Sequence, residues 1–175
     1  PPPPPRFSSR RRHTRLHEKS RGLGDVYKRQ VREYFADDRF IGEGWGEMLY
    51  QTLVRIPIGT AVFEEVVFRG VLLGFFLQRM AVWKAATLSS LLFGLWHILP
   101  TFDSIETNPG GDLLEGGLAV TAAVVGSVLV TGLAGYAFTW LRFRANSLLA
   151  PILAHFAINS VAYVAGWMVV RYGWA

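Results

Sequence analysis

Cysteine is absent from the 175 residues, which excludes disulfide staples and thiolate chemistry and leaves the redox compartment unread. Histidine is scarce as well: beyond residue 30 the chain has only His97 and His155. No fixed-period repeat is present, which argues against a solenoid and against a transporter built from duplicated halves. Basic surface is also missing once the N-terminus is set aside, because residues 1–30 hold nine of the 18 Lys+Arg but only two of the 13 Asp+Glu. The remainder is slightly acidic and has no basic face interleaved with aromatics, so nucleic acid is excluded as a partner.

Residues 1–30 open with Pro1 to Pro5 and Arg10-Arg11-Arg12 and offer no apolar periodicity that could bury a face, so this tail is expected to be disordered. It lacks the apolar stretch of a secretory signal. Gly22 to Gln30 reads as translated adapter sequence, non-native to the protein, the alternative being a native polybasic arm drawn to anionic headgroups.

What the chain does have is apolar sequence, with 51% hydrophobic and 14% aromatic residues, too much for an ordinary soluble domain. The fold class expected is all-α: a polytopic transmembrane bundle of about four spanning helices preceded by an amphipathic helix. From Trp45, apolar Met48, Leu49, Leu53 and Ile56 recur at helical spacing with Glu47, Gln51 and Arg55 between them, suiting a helix at the membrane interface. Pro57 and Gly59 should break or redirect the chain, and Ile58 to Met80 is long enough to span. Val82 to Leu99 follows, closed by Pro100, then a polar loop from Thr101 to Gly116 with the turn signal Asn108-Pro109-Gly110-Gly111. Gly117 to Trp140 is the third span, where Gly126, Gly132 and Gly135 let neighbours approach. Ser147 to Val170 is the fourth, with Pro151 tolerated near its start. Arg79, Lys84, Arg142 and Arg144 share one side, opposite Asp103, Glu106, Asp112 and Glu115, which makes the basic side cytoplasmic.

Glu64, Glu65 and Arg69 fall inside the first of these spans, where each charge costs at least about 2.5–3.5 kcal/mol and marks a functional site by default. Adjacent residues of a helix point about 100° apart and residues four apart only about 40°. Glu65 can therefore pair with Arg69 while Glu64 looks elsewhere, free for chemistry. The same spacing aligns Phe93 with His97, and His155 with Asn159. Counting about 1.5 Å per residue, Glu64, His97, His155 and Asn159 can meet at one depth. A carboxylate and an imidazole together suit general-base activation of water.

Each element has a plainer reading. Glu65 with Arg69 is most simply a structural ion pair, Asn159 alone is interhelical glue, and a single histidine is a packing residue. Their conjunction on three helices is what points to hydrolysis.

Glu64-Glu65-Val66-Val67-Phe68-Arg69, Phe93-Gly94-Leu95-Trp96-His97 and His155-Phe156-Ala157-Ile158-Asn159 match in order the EExxxR, FxxxH and HxxxN motifs, and over roughly residues 45–172 the chain resembles the CPBP intramembrane proteases. That family includes the CAAX prenyl endopeptidases and the bacteriocin-processing and immunity proteins, also called Abi. The resemblance implies an intramembrane endopeptidase domain over residues 31–175, N-terminally truncated relative to the family, in a prokaryotic cell membrane. It implies that Glu64 and His97 activate the attacking water, that His155 and Asn159 form the oxyanion hole, and that Glu65 and Arg69 support the site. Its substrates would be peptides or proteins, prenylated or of the bacteriocin-precursor kind. No cofactor is required in this reading. Zinc is the alternative, held by Glu64, His97 and His155, although that set leaves no evident general base. Two other classes stay open: a proton or ion relay, which needs further intramembrane carboxylates that the third and fourth spans lack, and a catalytically silent scaffold or immunity protein.

Overall fold

The computed structural model describes residues 38–107 and 116–172; the basic tail and the Asn108–Gly111 turn signal lie outside the described residues. Among these residues there are helices and no strands. A short 3-10 turn, Asp38–Phe40, precedes helix α1 at residues 45–77, followed by α2 (Val82–Trp96), α3 (Ile98–Thr107), α4 (Gly117–Ala145) and α5 (Leu149–Tyr172).

The interfacial stretch and the first span form one continuous helix, which corrects the break expected at Pro57 and Gly59. α1 passes through Pro57 in wide turns of π geometry over Gln51–Val62, and again over Val66–Leu72. A proline ring clashes with the carbonyl of residue i−4 in a regular helix, and a wider turn relieves that clash. The missing N–H is also replaced. In the i→i+5 register the carbonyl of Thr52 would receive the N–H of residue 57, which proline lacks; Ser160 Oγ on α5 donates to that carbonyl instead, at 3.3 Å.

Pro100 likewise fails to close its helix, and residues 101–107 of the expected Thr101 to Gly116 loop are helical instead. α2 ends at Trp96, His97 takes φ −83° and ψ 1°, and Pro100 falls in the first turn of α3, where its missing N–H would have had no partner anyway. α4 ends with Asn146 in the left-handed conformation, φ 47° and ψ 35°, a cap asparagine tolerates. Ser147 Oγ then accepts the N–H of Leu149 at the start of α5.

Three helical stretches are long and apolar enough to cross a membrane: Val82–Thr107, Gly117–Ala145 and Leu149–Tyr172. The remaining one of the expected four is α1, which carries Glu64, Glu65 and Arg69 in its buried face. Large apolar side chains such as Leu118, Leu129 and Leu133 of α4 stand exposed, as they do on a surface solvated by lipid rather than water.

α2 lies along α4 at close range. A methyl on Gly94 would sit 2.5 Å from the carbonyl oxygen of Val128 and 3.3 Å from Gly132, and one on Gly135 would meet Arg69 and Phe93. Glycine at these crossings is what brings α4 near the charged face of α1. α5 crosses the Gln51–Val62 stretch of α1 and also α4, which sets His155 against the carboxylates.

Candidate active site

Glu64 and Glu65 occupy the short α-helical stretch Phe63–Glu65 between the two wide-turn segments of α1. Both are buried, and they divide their contacts. Glu65 Oε1 accepts from Arg69 Nη1 and from His155 Nδ1, each at 2.9 Å. Glu64 Oε1 accepts from Trp96 Nε1 at 3.2 Å, while its Oε2 lies 4.0 Å from His97 Nε2 and 3.8 Å from His155 Nε2. His155 thus stands between the two carboxylates, one ring nitrogen toward each.

The ring tautomers follow from the partners. His97 Nδ1 is 2.8 Å from the carbonyl oxygen of Phe93, which can only accept, so Nδ1 carries the hydrogen. His155 Nδ1 meets the Glu65 carboxylate and carries a hydrogen for the same reason. Both Nε2 atoms therefore face Glu64 Oε2, which is buried and has no hydrogen-bond partner. Separations of 3.8–4.0 Å are too long for direct hydrogen bonds and suit a bridging water.

Aromatic rings hold these groups in place. Phe138 stacks on His155 with centroids 5.1 Å apart and planes at 18°. Phe93 meets His97 edge-on at 4.6 Å, and the Arg69 guanidinium lies over the Phe93 ring at 4.0 Å. That cation–π contact compensates a cation whose Nε and Nη2 are buried without partners. Phe68, Phe93 and Phe138 form one buried cluster around these groups.

Asn159, one turn beyond His155 on α5, is half-buried, and its amide makes no hydrogen bond within the described residues. The described residues include no trio of His, Asp or Glu disposed to hold a metal ion. Tetrahedral zinc with bonds of about 2.0–2.2 Å puts its ligands about 3.4 Å apart, closer than Glu64 Oε2 is to either histidine.

Sequence spacing brought out the Glu65–Arg69 pair and the alignment of Phe93 with His97. It missed the Glu65–His155 bond, the Trp96–Glu64 bond and the stacking of Phe138, all of which join residues far apart in the chain. Trp96 carried a usable signal, an indole N–H adjoining a candidate histidine in an apolar helix, where such a donor needs an acceptor.

No curated protein and no solved structure matches the chain. The family model described as type II CAAX prenyl endopeptidase Rce1-like matches residues 46–161, more than half of the chain. The three motifs, the apolar helices and that match agree: the protein belongs to the Rce1-like family of intramembrane CAAX-type endopeptidases, whose substrates are peptides or proteins.

Proposed function

We propose that this chain hydrolyses a peptide bond at membrane depth with a water molecule activated by Glu64 and His97, and that the reaction needs no metal. The observation that supports this reading most is that Glu64 Oε2 lies 4.0 Å from His97 Nε2 and 3.8 Å from His155 Nε2. A single water, with two hydrogens to donate, complements the Glu64 and His97 acceptors.

In the proposed reaction the water gives one proton to Glu64 as its oxygen bonds to the substrate carbonyl carbon, while its second hydrogen remains on that oxygen and is donated to His97 Nε2 as a hydrogen bond. The carbonyl oxygen becomes an oxyanion. His155 Nε2 donates to it in the imidazolium form, since the Nδ1 hydrogen is already committed to Glu65, and the Asn159 amide is the second donor. Glu64 then returns its proton to the leaving nitrogen as the carbon–nitrogen bond breaks, which yields a carboxylic acid and an amine.

The substrate class we propose is a prenylated C-terminal peptide, after the family's name; a bacteriocin-precursor peptide is the second candidate, and a prokaryotic cell membrane the proposed setting. The test is cleavage of both peptides by the protein reconstituted in lipid, before and after divalent metal is stripped and its removal verified. Cleavage should persist without metal. Loss rescued by zinc would overturn the metal-free mechanism, and no cleavage of either peptide by the untreated protein would count against the reading as a whole.

A further inference from the structure

Trp96 and His97 are consecutive, and consecutive residues of a regular helix diverge by about 100°. Here they converge on one carboxylate. The helix stops at Trp96 and His97 departs from helical geometry, with φ −83° and ψ 1°, so the indole N–H reaches Glu64 Oε1 at 3.2 Å while the imidazole faces Oε2 at 4.0 Å.

This makes the two oxygens of Glu64 inequivalent. Oε1 has a donor; Oε2 has none. The terminal torsion of a glutamate is broad and two-fold, and no other side chain of the described residues hydrogen-bonds to this carboxylate, so Trp96 decides which way it is turned. An indole N–H donates and cannot accept, and being neutral it holds the carboxylate without cancelling its charge as Arg69 does for Glu65. The indole is itself held by Phe63 and Phe68, at centroid distances of 6.4 and 6.1 Å. Its residue is nonetheless 49% exposed, so exchanging it for phenylalanine removes little buried surface.

We propose that Trp96 is a positioning residue: its N–H anchors Oε1 so that Oε2 faces the water between His97 and His155. The proposal rests on the reading of Glu64 as the group that activates water. Two readouts keep its failure distinct from the failure of that reading. In nitrogen-15 spectra of the indoles, the Trp96 N–H resonance is identified by its absence from Trp96→Phe, and Glu64→Gln should shift it upfield, because an amide accepts more weakly than a carboxylate. This measurement needs no cleavage. In the cleavage assay, Trp96→Phe should lower kcat by roughly ten- to hundredfold, as expected for one hydrogen bond to a charged group, with KM within about twofold on the same grounds. Trp96→His, which keeps a ring N–H, should recover part of the loss. An unshifted resonance in Glu64→Gln, or a rise in KM with kcat unchanged, would overturn the proposal and leave Trp96 a rim residue. A shifted resonance in a protein that cleaves nothing would uphold the anchor and sink the proteolytic reading alone.

Discussion

Two carboxylate networks tie α5 to earlier parts of the chain, and they are finished to different degrees. In the first, Glu43 Oε2 accepts the Tyr163 hydroxyl at 2.6 Å, and the Glu43 carbonyl accepts from Trp167 Nε1 and Arg171 Nη1 at 3.2 and 3.3 Å. Phe40 packs beside it on Tyr163 and Trp167. None of these polar groups is buried without a partner. In the second, around Glu64, Glu65 and Arg69, four of the six orphaned buried side-chain atoms of the described residues are found together. An orphaned buried atom costs about 1–3 kcal/mol, so a network serving only to hold helices together would be expected to resemble the first. The unfinished one leaves Glu64 Oε2 without a donor although two histidine Nε2 atoms lie within 4.0 Å of it, as expected of a site completed by water or substrate.

The sharpest way to break this comparison is to remove the unfinished atoms. Glu64→Gln and His97→Ala should each reduce cleavage to background, because each removes half of the water-activating pair. Folding should respond in the opposite sense from that of an ordinary core change. Glu64→Gln replaces a buried charge with a neutral amide, so thermal stability measured in the same detergent should be unchanged or raised. A clear loss of stability in Glu64→Gln would make Glu64 a fold-holding group like Glu43, and the contrast would collapse.

Glu65 joins both roles, which makes it the next largest effect. Glu65→Ala leaves the buried Arg69 cation unpaired and should lower stability by about 3–5 kcal/mol, read as loss of folded yield and a lower unfolding midpoint. Replacing both partners, as Glu65→Leu with Arg69→Met, removes the stranded charge and should restore much of that stability. It should not restore cleavage, because His155 Nδ1 then has no acceptor and the ring loses its fixed orientation. Recovery of cleavage in the double variant would mean that Glu65 serves only to neutralise Arg69.

These residues also show how far the sequence could be read. The costly charges within an apolar run, the i to i+4 spacing of Glu65 with Arg69, and the ordered motifs are local signals, and they were sufficient to nominate Glu64, His97 and His155, which the fold then brings together. Pro57 and Pro100 misled because their consequences depend on distant or neighbouring structure. Pro57 is accommodated by wide turns and by Ser160 from another helix, and Pro100 by the helix break at His97. The Glu65–His155 bond spans 90 positions in the chain; no local period encodes it, only the crossing of α5 over α1.

Asn159 tests whether the unfinished network extends along α5. Its amide has no partner within the described residues and sits one turn beyond His155, so Asn159→Ala should cost little stability while lowering kcat by on the order of 10²–10³, as for one oxyanion donor. The rank matters more than the size. Residual activity should exceed that of Glu64→Gln, since His155 still donates to the oxyanion and water activation is untouched. Background-level cleavage in a folded Asn159→Ala protein would place the amide in water activation instead.

The smallest expected effect falls in the finished network, and it should have the opposite profile. Tyr163→Phe deletes only the hydroxyl that Glu43 Oε2 accepts at 2.6 Å, leaving the ring against Phe40 and the Trp167 and Arg171 bonds to the Glu43 carbonyl in place. A single hydrogen bond to a charged group contributes about 1.5–3 kcal/mol, and the freed Glu43 oxygen can turn toward water, so the loss should lie at the low end of that range. It should appear as a slightly lower unfolding midpoint, with kcat and KM unchanged because no atom of this network touches Glu64, His97 or His155. A fall in kcat without a change in midpoint would show that the Glu43 network and the site are coupled through α5, and the two carboxylate networks would then have to be treated as one device.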